Sequence, residues 1–511
     1  MKFFKISALV LSLVMIFTAC GSYVVEVTLD GATKIELSDD EIMVEGKSLS
    51  DKIYPGVHIA NDIVYYESGK DFTYGEGAES DAHTSEEAAE HTVIHITEAG
   101  AYEISGKLSR GQIAVDLGED AKKNENANVT LILNGVDITC TVAPAIIFYN
   151  VYECGEKDED KAKKDVDTSA AGANVIIADD SINTVNGSYV ARIYEPETVI
   201  LSEDGKSVED ADKLHKYDGA LYSKMSMNVN GGKKGTGVLN INAKNEGLDT
   251  ECHLTINGGT INIFSGNDGI NTNEDGVSVT TINGGQLNIK VTGETGEGDG
   301  IDSNGWLVIN GGGVFASANS DSADSGIDSD MGIHINGGSV IASGNMLDRI
   351  SSSEQTYVVF NFSKKQIGGE KLTLKYDKDE SLYNFTPQND YTVLIVSTAD
   401  LKEGMYTLWN GGTQLSHGGV MTGMGGPQGR PEDFQKPDGF EDFKNGEKPE
   451  NFQRPEGETP PQKPDMPMPE GEMPQPPQMS QEDFIPYQPN GTERSTAFEI
   501  KNGANQFSSI Y

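Results

Sequence analysis

The sequence predicts an all-β chain built around a parallel β-helix, a solenoid in which each repeat adds one coil. Three observations predict it: a recurring Asn-Gly-Gly phrase, apolar columns on both sides of that phrase, and an acidic phrase that recurs out of phase with it. The Asn-Gly-Gly steps are 27, 26, 27 and 26 residues. Units this regular bury their apolar faces only by stacking on their neighbours. The phrases begin at Asn230, Asn257, Asn283, Asn310 and Asn336.

Apolar residues alternate with polar ones on both sides of each glycine pair. Period-two alternation around a corner is typical of two short strands and a bend. Leucine-rich repeats share the overall period, but they require a leucine consensus and often a helical segment, and neither is present. The apolar columns lie one residue before the Asn (Val229, Ile256, Ile282, Ile309, Ile335) and four after it in the last four repeats (Ile261, Leu287, Val314, Val340).

The repeated asparagines have a physical reason to share one register. Asn and Gly both tolerate positive φ at a tight corner. Stacked coils lie roughly 4.8 Å apart, so amide side chains in register can hydrogen-bond as a ladder. The alternative is a set of five independent turn asparagines, and the common register favours the ladder.

The acidic phrase places carboxylates on both sides of a buried Ile or Leu, as in Asp299-Gly-Ile-Asp302, and Asp218-Gly-Ala-Leu221 is a degenerate earlier copy. We expect the aliphatic residue to point inward and the acids outward, in a row along one edge of the stack. Such a row is either bridged by a hard cation, for which Ca²⁺ is suited, or fully solvated. The spacing matches neither an EF-hand nor the RTX nonapeptide. The candidate calcium ligands are Glu246, Asp249, Asp268, Asn271, Asp299, Asp302, Asp324, Asp328 and Asp330.

Taken together, these Asn-Gly-Gly strands and Gly-Ile-Asp corners resemble the carbohydrate-binding right-handed parallel β-helix proteins of clostridia, whose fold is related to that of the pectate lyases. The resemblance is clearest over residues 220–345 and extends more weakly back to about Val93. It implies an extracellular, calcium-containing protein that binds plant cell-wall polysaccharide, either cellulose or an acidic polyuronate. That function comes from the resemblance and not from the spacing.

The N-terminus predicts export and a lipid anchor. Lys2 and Lys5 precede an apolar core, and the sequence up to Cys20 resembles a bacterial lipobox. The apolar core is too short to span a membrane permanently, so Cys20 is predicted to be the lipidated first residue of a mature surface lipoprotein; ordinary signal cleavage nearby is the alternative. The formal charge of −42 disfavours nucleic acid and anionic membrane surfaces.

Composition divides the rest of the chain into segments with different predicted structure. Fifteen of the nineteen prolines lie between Pro427 and Pro489, which predicts a disordered spacer or a docking segment for a protein partner. Cys140 and Cys154 can pair in an oxidising compartment, and the sequence leaves that pairing open. The predicted segments are a signal peptide (1–20), a leader (21–90) whose acidic end is mobile, the β-helix (91–350), a C-terminal β region that caps it or forms a small domain (351–417), the disordered segment (418–489) and terminal strands (490–511).

Three functions are compatible with the sequence. The first is non-catalytic carbohydrate binding, in which Trp306 and His253, each four residues before the Asn of its repeat, face outward and contact sugar rings. The second is a calcium-dependent polysaccharide lyase, which needs a base near the acids; Lys244, two residues before Glu246, is the nearest in sequence. The third is a structural or adhesive surface protein in which the helix is a spacer. We expect the first.

Overall fold

The structure, a computed structural model, describes residues 15–17, 23–25, 31–49, 54–376, 380–420 and 495–511. The chain divides into two units, one of Met1–Pro427 with Glu493–Tyr511 and one of Gln428–Thr492. Cys20 and the proline-rich segment after residue 420 lie outside the described residues. The lipid anchor and the disorder of that segment therefore stay predictions.

The repeats at Asn230, Asn257, Asn283 and Asn310 each contribute three short strands and the repeat at Asn336 contributes two, and equivalent strands of successive repeats pair in parallel. In the repeat that contains Asn257 these strands are Glu246–Thr250, Leu254–Ile256 and Thr260–Ser265. The described part of the chain is nearly all β, as predicted.

The second and third strands of the repeats belong to one large sheet, which also contains strands from both ends of the described chain. Its strands are Thr33–Leu37, Met43–Val44, Lys47–Ser48, Gly100–Leu108, Val129–Thr139, Ala173–Ile177, Ile182–Gly187, Met227–Gly231, Val238–Ala243, Leu254–Ile256, Thr260–Ser265, Val279–Ile282, Gln286–Val291, Trp306–Ile309, Gly313–Ser317, Gly332–Ile335, Ser339–Gly344, Ile350–Ser353, Tyr357–Gln366, Tyr391–Thr398, Gly419–Val420 and Ala504–Ile510.

The first strand of each repeat belongs to a separate sheet of eight strands, which we call the acid sheet. Its first two strands pair antiparallel, and all later pairs are parallel. In spatial order its strands are Val57–Ala60, Thr92–Ile96, Gly111–Asp116, Ile146–Asn150, Gly219–Ser223, Glu246–Thr250, Ile270–Thr272 and Ile301–Ser303.

The remaining elements are small. Within the described residues, no helix is long and apolar enough to cross a membrane. The helices are Glu79–Asp81, Glu119–Lys123 and Glu159–Lys161 (3-10) and Ser85–Ala89 (α). Three antiparallel pairs are Met15–Phe17 with Tyr23–Val25, Val190–Tyr194 with Lys213–Tyr217, and Ile200–Leu201 with Val208–Asp210. A C-terminal sheet contains Leu372–Tyr376, Glu380–Phe385, Gly404–Asn410, Thr413–Gln414 and Ala497–Ile500.

The predicted asparagine column is confirmed. The side-chain amide of each later Asn donates to the side-chain carbonyl of the Asn one repeat earlier, at 2.8–2.9 Å. The positive φ at the corner belongs to the second glycine and not to the Asn: Gly285 has φ 86°. A Cβ on Gly285 would lie 2.6 Å from the carbonyl oxygen of Gly259, so stacking itself excludes a side chain there.

A mutation pair tests whether this ladder stabilises the stack. Asn283 makes two ladder bonds, to Asn257 and from Asn310, whereas Asn336 makes one, to Asn310. Because a net protein hydrogen bond contributes about 1 kcal/mol, we expect Asn283→Ala to lower the free energy of unfolding by about 2 kcal/mol and Asn336→Ala by about 1. Urea unfolding measures both, and equal losses would contradict a ladder.

The core lies inside the stack, where the apolar columns meet in register. Ile261 pairs with Leu287, which pairs with Val314 and then Val340, and all four are buried. The residues before each Asn form a second buried column. Burying such a side chain contributes about 1.5–3 kcal/mol, so this register fixes which face of each strand is inside.

The leader contains strands, and some of them join the large sheet. Thr33–Leu37 pairs in parallel with Gly100–Leu108. The acidic stretch that was predicted to be mobile contains the helix Ser85–Ala89. Thr84 caps this helix by accepting a hydrogen bond from the Glu87 amide, and the Glu87 carboxylate accepts from the Thr84 amide in return. This reciprocal cap is a local signal that stabilises even a short helix.

The C-terminal region pairs directly with the last repeat. Tyr391–Thr398 lies antiparallel to Ser339–Gly344, and Ala504–Ile510 pairs with Tyr357–Gln366. A second apolar core, which includes Phe360, Phe498 and Phe507, lies among these strands. The edge of the last repeat is thereby covered, which is what a cap of a solenoid must do.

Candidate metal and carbohydrate site

The polar residue that ends each acidic phrase lies at one in-register position across the acid sheet. Asp249 pairs with Asn271, and Asn271 pairs with Asp302. The preceding residues, Leu248, Ile270 and Ile301, form a fully buried column on the opposite face. The aliphatic residues therefore point inward, as predicted.

The first acid of each phrase bonds to the neighbouring repeat. Asp268 Oδ1 accepts a hydrogen bond from the Asp299 amide at 2.6 Å, and Asp299 Oδ1 accepts one from the Ser325 amide at 2.5 Å. Asp324 Oδ2 accepts from the Gly298 amide at 2.6 Å. These carboxylates satisfy backbone donors at the turns, which gives Asp268, Asp299 and Asp324 a structural role whatever else they bind.

Asp249 and Asn271 lie on the face opposite the aliphatic column, as predicted, but the acids of the earlier repeats are buried and not solvated. Asp249 is fully buried, and Glu246, Asp268 and Asn271 are at most 8% exposed. The reason is that their polar groups pair along the sheet: Asn271 Nδ2 donates to Glu246 Oε1 at 3.2 Å and Asn273 Nδ2 to Asp249 Oδ1 at 2.5 Å. Asp299, Asp302, Asp324 and Asp328 are partly exposed, and Asp330 is exposed.

Three of the acids form a compact cluster. One carboxylate oxygen from each of Asp218, Glu246 and Asp249 lies within 4.8 Å of the others, and all three residues are buried. Glu246 Oε2, Asp249 Oδ2 and Asn271 Oδ1 accept no hydrogen bond within the described residues. We call Asp218, Glu246, Asp249 and Asn271 the acid cluster. Unsatisfied buried oxygens cost free energy, so a cation is the natural partner.

Asp218 was absent from the predicted ligands. Its phrase had been recognised only as a degenerate copy, because Tyr222 stands in the register of Asp249 and the second acid is missing. The available signal was the acidic residue in front of Gly219, one repeat before Glu246-Gly247.

The electrostatics favour a bound cation or bound protons. Burial raises the pKa of Glu246 well above the ordinary range, and Asp249 and Asp218 add to the shift. Burial likewise raises the pKa of Asp249, followed by repulsion from Asp218 and Glu251. The pKa of Asp218 is also raised by burial, against an opposing effect of Lys216. Carboxylate and amide oxygens in a flexible arrangement are the donors that Ca²⁺ takes, so these residues fit calcium.

Lys244, the base that the lyase alternative requires, is exposed. The basic residue near the acids is Lys216, whose Nζ lies 3.3 Å from Asp218 Oδ2. Lys216 lies in the strand Lys213–Tyr217, which belongs to an insertion and has no counterpart in the repeat pattern.

His253 does not face outward. It is 2% exposed, its Nδ1 accepts a hydrogen bond from the Val279 amide at 3.1 Å, and its amide donates to Ser226 Oγ. The loop at Gly155 covers it, since a Cβ there would lie 2.4 Å from the His253 ring. This burial removes His253 as a sugar-contacting residue.

Trp306 is half-buried and lies in the large sheet, between Val279 and Gly332, not in the acid sheet. The aromatic residues near the acid cluster are instead Tyr149, Tyr217 and Tyr222, whose rings follow one another at 5.5 and 5.2 Å. The Tyr222 hydroxyl donates to the Glu251 carboxylate.

Cys140, Cys154 and Cys252 are free thiols, so the disulfide that the sequence left open is not formed. Burial raises the pKa of all three to about 12. Glu153 raises the pKa of both Cys154 and Cys252, which places these two in one neighbourhood and Cys140 elsewhere.

Stacked parallel strands around an apolar core, with a file of oxygen donors on one face, define a repeat-built β protein with a candidate cation site. The model of the family described as carbohydrate-binding domain-containing protein matches residues 90–381, more than half of the chain, so the chain belongs to that family. A solved structure of the polysaccharide lyase-like protein from C. thermocellum is similar at 19% identity, with a TM-score of 0.35, over 63% of this chain and 93% of that one. No curated protein matches the chain.

Proposed function

We propose that this chain is an exported, calcium-dependent, non-catalytic binder of plant cell-wall polysaccharide, either cellulose or an acidic polyuronate. In this proposal the stacked strands form a right-handed parallel β-helix, and a lipid on Cys20 anchors the protein at the bacterial cell surface. Membership of a carbohydrate-binding family supports the polysaccharide as partner. The charge of −42 supports a cation as intermediary for any acidic glycan.

The acid cluster is the observation that supports a bound cation. Its buried carboxylates stand within 4.8 Å of one another, and Glu246 Oε2 and Asp249 Oδ2 have no donor among the described residues. A bound Ca²⁺ would be held by Asp218, Glu246, Asp249 and the Asn271 carbonyl, and it would supply positive charge for a sugar carboxylate or hydroxyl. The chain's own residues position these oxygens through the strand register.

The in-register file of the acid sheet becomes accessible at Asp302. Asp249 and Asn271 are buried, whereas Asp302, the next residue in register, is partly exposed. In this proposal an acidic glycan therefore contacts the sheet at Asp302.

The testing experiment measures retention of the purified chain on cellulose and on immobilised polygalacturonate, each with calcium and with chelator. We expect chelation to abolish retention on the polyuronate, and Asp302→Ala to weaken it. Retention on cellulose should survive chelation if the fold does, and Trp306→Ala should weaken it if that half-buried ring contacts sugar. No retention on either glycan with calcium present would contradict the proposal.

A calcium-dependent lyase is the second candidate, and one observation favours it: an ammonium group, Lys216 Nζ, lies 3.3 Å from an acid-cluster carboxylate. A lyase needs a base beside the cation to remove the proton next to a uronate carboxylate. Ultraviolet absorbance of unsaturated uronates in the same samples decides the question. Product that forms with the parent and not with Lys216→Ala would replace the binding proposal by the lyase.

A further inference from the structure

The acid cluster has a basic partner, and this partner comes from outside the repeats. Lys216 lies near the end of the strand Lys213–Tyr217, which pairs with Val190–Tyr194 in an insertion. Its Nζ is 3.3 Å from Asp218 Oδ2, and the two side chains are 39% and 12% exposed. The ammonium therefore reaches from a solvent-accessible position into a mostly buried set of carboxylates.

Lys216 acts on the whole cluster and not only on Asp218. Burial raises the pKa of Asp218, Glu246 and Asp249, and Lys216 opposes that rise in all three; Lys213 also opposes it in Asp218. Lys216 nevertheless leaves Glu246 Oε2 and Asp249 Oδ2 without a hydrogen bond from any described residue. One ammonium compensates the charge of three carboxylates incompletely, which leaves donor oxygens available to a second cation.

We propose that Lys216 is the internal counter-ion of the acid cluster in the cation-free protein and that an entering divalent cation displaces it. This inference rests on the cation site of the proposed function. Asp218 then exchanges an ammonium partner for a metal ion, and Lys216 swings into the solvent to which it is already partly exposed. The affinity of the site is set by this competition as well as by the number of oxygens.

The physical reason is the repulsion between like charges in a confined space. A unit charge about 5 Å from a divalent ion opposes its binding by on the order of tenfold even at the dielectric constant of water, and by more in a partly buried site. Removing one partner of a buried ion pair also leaves an uncompensated charge, which destabilises the protein. Loss of Lys216 should therefore have opposite effects on the cation-free and the cation-bound states.

The control lies in the same insertion. Lys206 is also basic, but it is 82% exposed and its Nζ lies 3.7 Å from Asp204 Oδ2, outside the acid cluster. Lys206→Met removes a charge of the same kind from the same insertion and leaves the Lys216–Asp218 pair in place. Lys216→Arg keeps the charge at the site.

The experiment uses the full chain, calorimetric titration with Ca²⁺ and thermal melts in chelator. We expect Lys216→Met to bind Ca²⁺ about tenfold more tightly than the parent and, in chelator, to melt at a lower temperature. Lys216→Arg should resemble the parent in both measurements. The control Lys206→Met should leave the calcium affinity within about twofold of the parent.

The outcomes separate the two proposals. If the parent binds Ca²⁺ and Lys216→Met binds it equally or more weakly, the competition is wrong and the calcium site stands. If the parent binds no Ca²⁺, the proposed function fails, and with it the displacement of Lys216. An unchanged melt of Lys216→Met in chelator would overturn the counter-ion role in either case.

Discussion

Asp249→Asn is expected to raise the melting temperature of the calcium-free protein and to abolish the stabilisation that calcium gives the parent. Asp249 is fully buried, one of its carboxylate oxygens accepts no hydrogen bond from the described residues, and Asp218 lies beside it. A neutral amide of the same shape removes the buried charge, and it weakens a Ca²⁺ site by one anionic ligand. The substitution is therefore expected to stabilise the calcium-free protein and to remove the stabilisation that calcium provides.

For the parent, a ligand that binds only the folded state stabilises it by about 2.7 kcal/mol at a hundredfold excess over Kd. Thermal melts with calcium and with chelator measure this increment, and elemental analysis measures the metal that co-purifies. Asp120→Asn, which neutralises an exposed acid outside the acid sheet, should leave the increment unchanged. A parent whose melt is identical with and without chelator, and which carries no metal, would leave the cluster without a cation.

The repeat was predictable because its information is local and periodic. Ile256, Ile282 and Ile309 stand one residue before an Asn in each repeat, and a parallel register follows once these positions must stack. The amide of Asn283 meets that of Asn257 for the same reason. Strand period and repeat length together fix these contacts, so no long-range information was needed.

The burial of the acids was not predictable from the phrase. Alternation places Asp249 and Asn271 on the outer face, and outer positions of a sheet are usually solvated. Here the strand register brings Asn273 and Glu246 against them, so the outer face of these repeats is itself packed. The alternation of side chains along a strand predicts the face of the sheet on which a residue lies, but not which other residues cover that face.

Two other differences have separate causes. Lys216 was missed because Asp218 was not counted among the ligands: it lies two residues before Asp218, the same spacing as Lys244 before Glu246, and its Nζ contacts that carboxylate. His253 has the repeat position of an outward residue, but the loop at Gly155 covers it. The contact between the Gly155 loop and His253 is long-range and has no period, so composition and spacing do not encode it.

The buried carboxyls also predict how calcium stabilisation depends on pH. Burial raises the pKa of Glu246, Asp249, Asp268 and Asp299, each with added repulsion from neighbouring acids. A carboxyl whose pKa is higher in the folded than in the unfolded state favours folding below its unfolded pKa of about 4, and this contribution is lost as pH rises through the folded-state pKa. The metal-free protein therefore loses stability from these groups as pH rises.

The pKa shifts of several histidines have the opposite effect on how stability depends on pH. Burial lowers the pKa of His83, His91, His215, His253 and His334, so these rings must take up protons when the chain unfolds in acid, and their contribution to stability grows as pH rises. The melting temperature of the metal-free protein alone mixes the two effects. The difference between melts with calcium and with chelator removes the histidine contribution, because the histidines lie outside the acid cluster and titrate alike in both.

We therefore expect the calcium increment in melting temperature to be larger at about pH 7.5 than at about pH 5.5. Calcium requires ionised ligands, so each carboxyl that must release a proton weakens the apparent affinity about tenfold per pH unit below its folded-state pKa. Calorimetric melts at a fixed calcium concentration measure the increment at both pH values. In Asp249→Asn the increment should be small at both, and a parent increment that is equal at the two pH values would contradict a calcium site built from carboxyls with raised pKa.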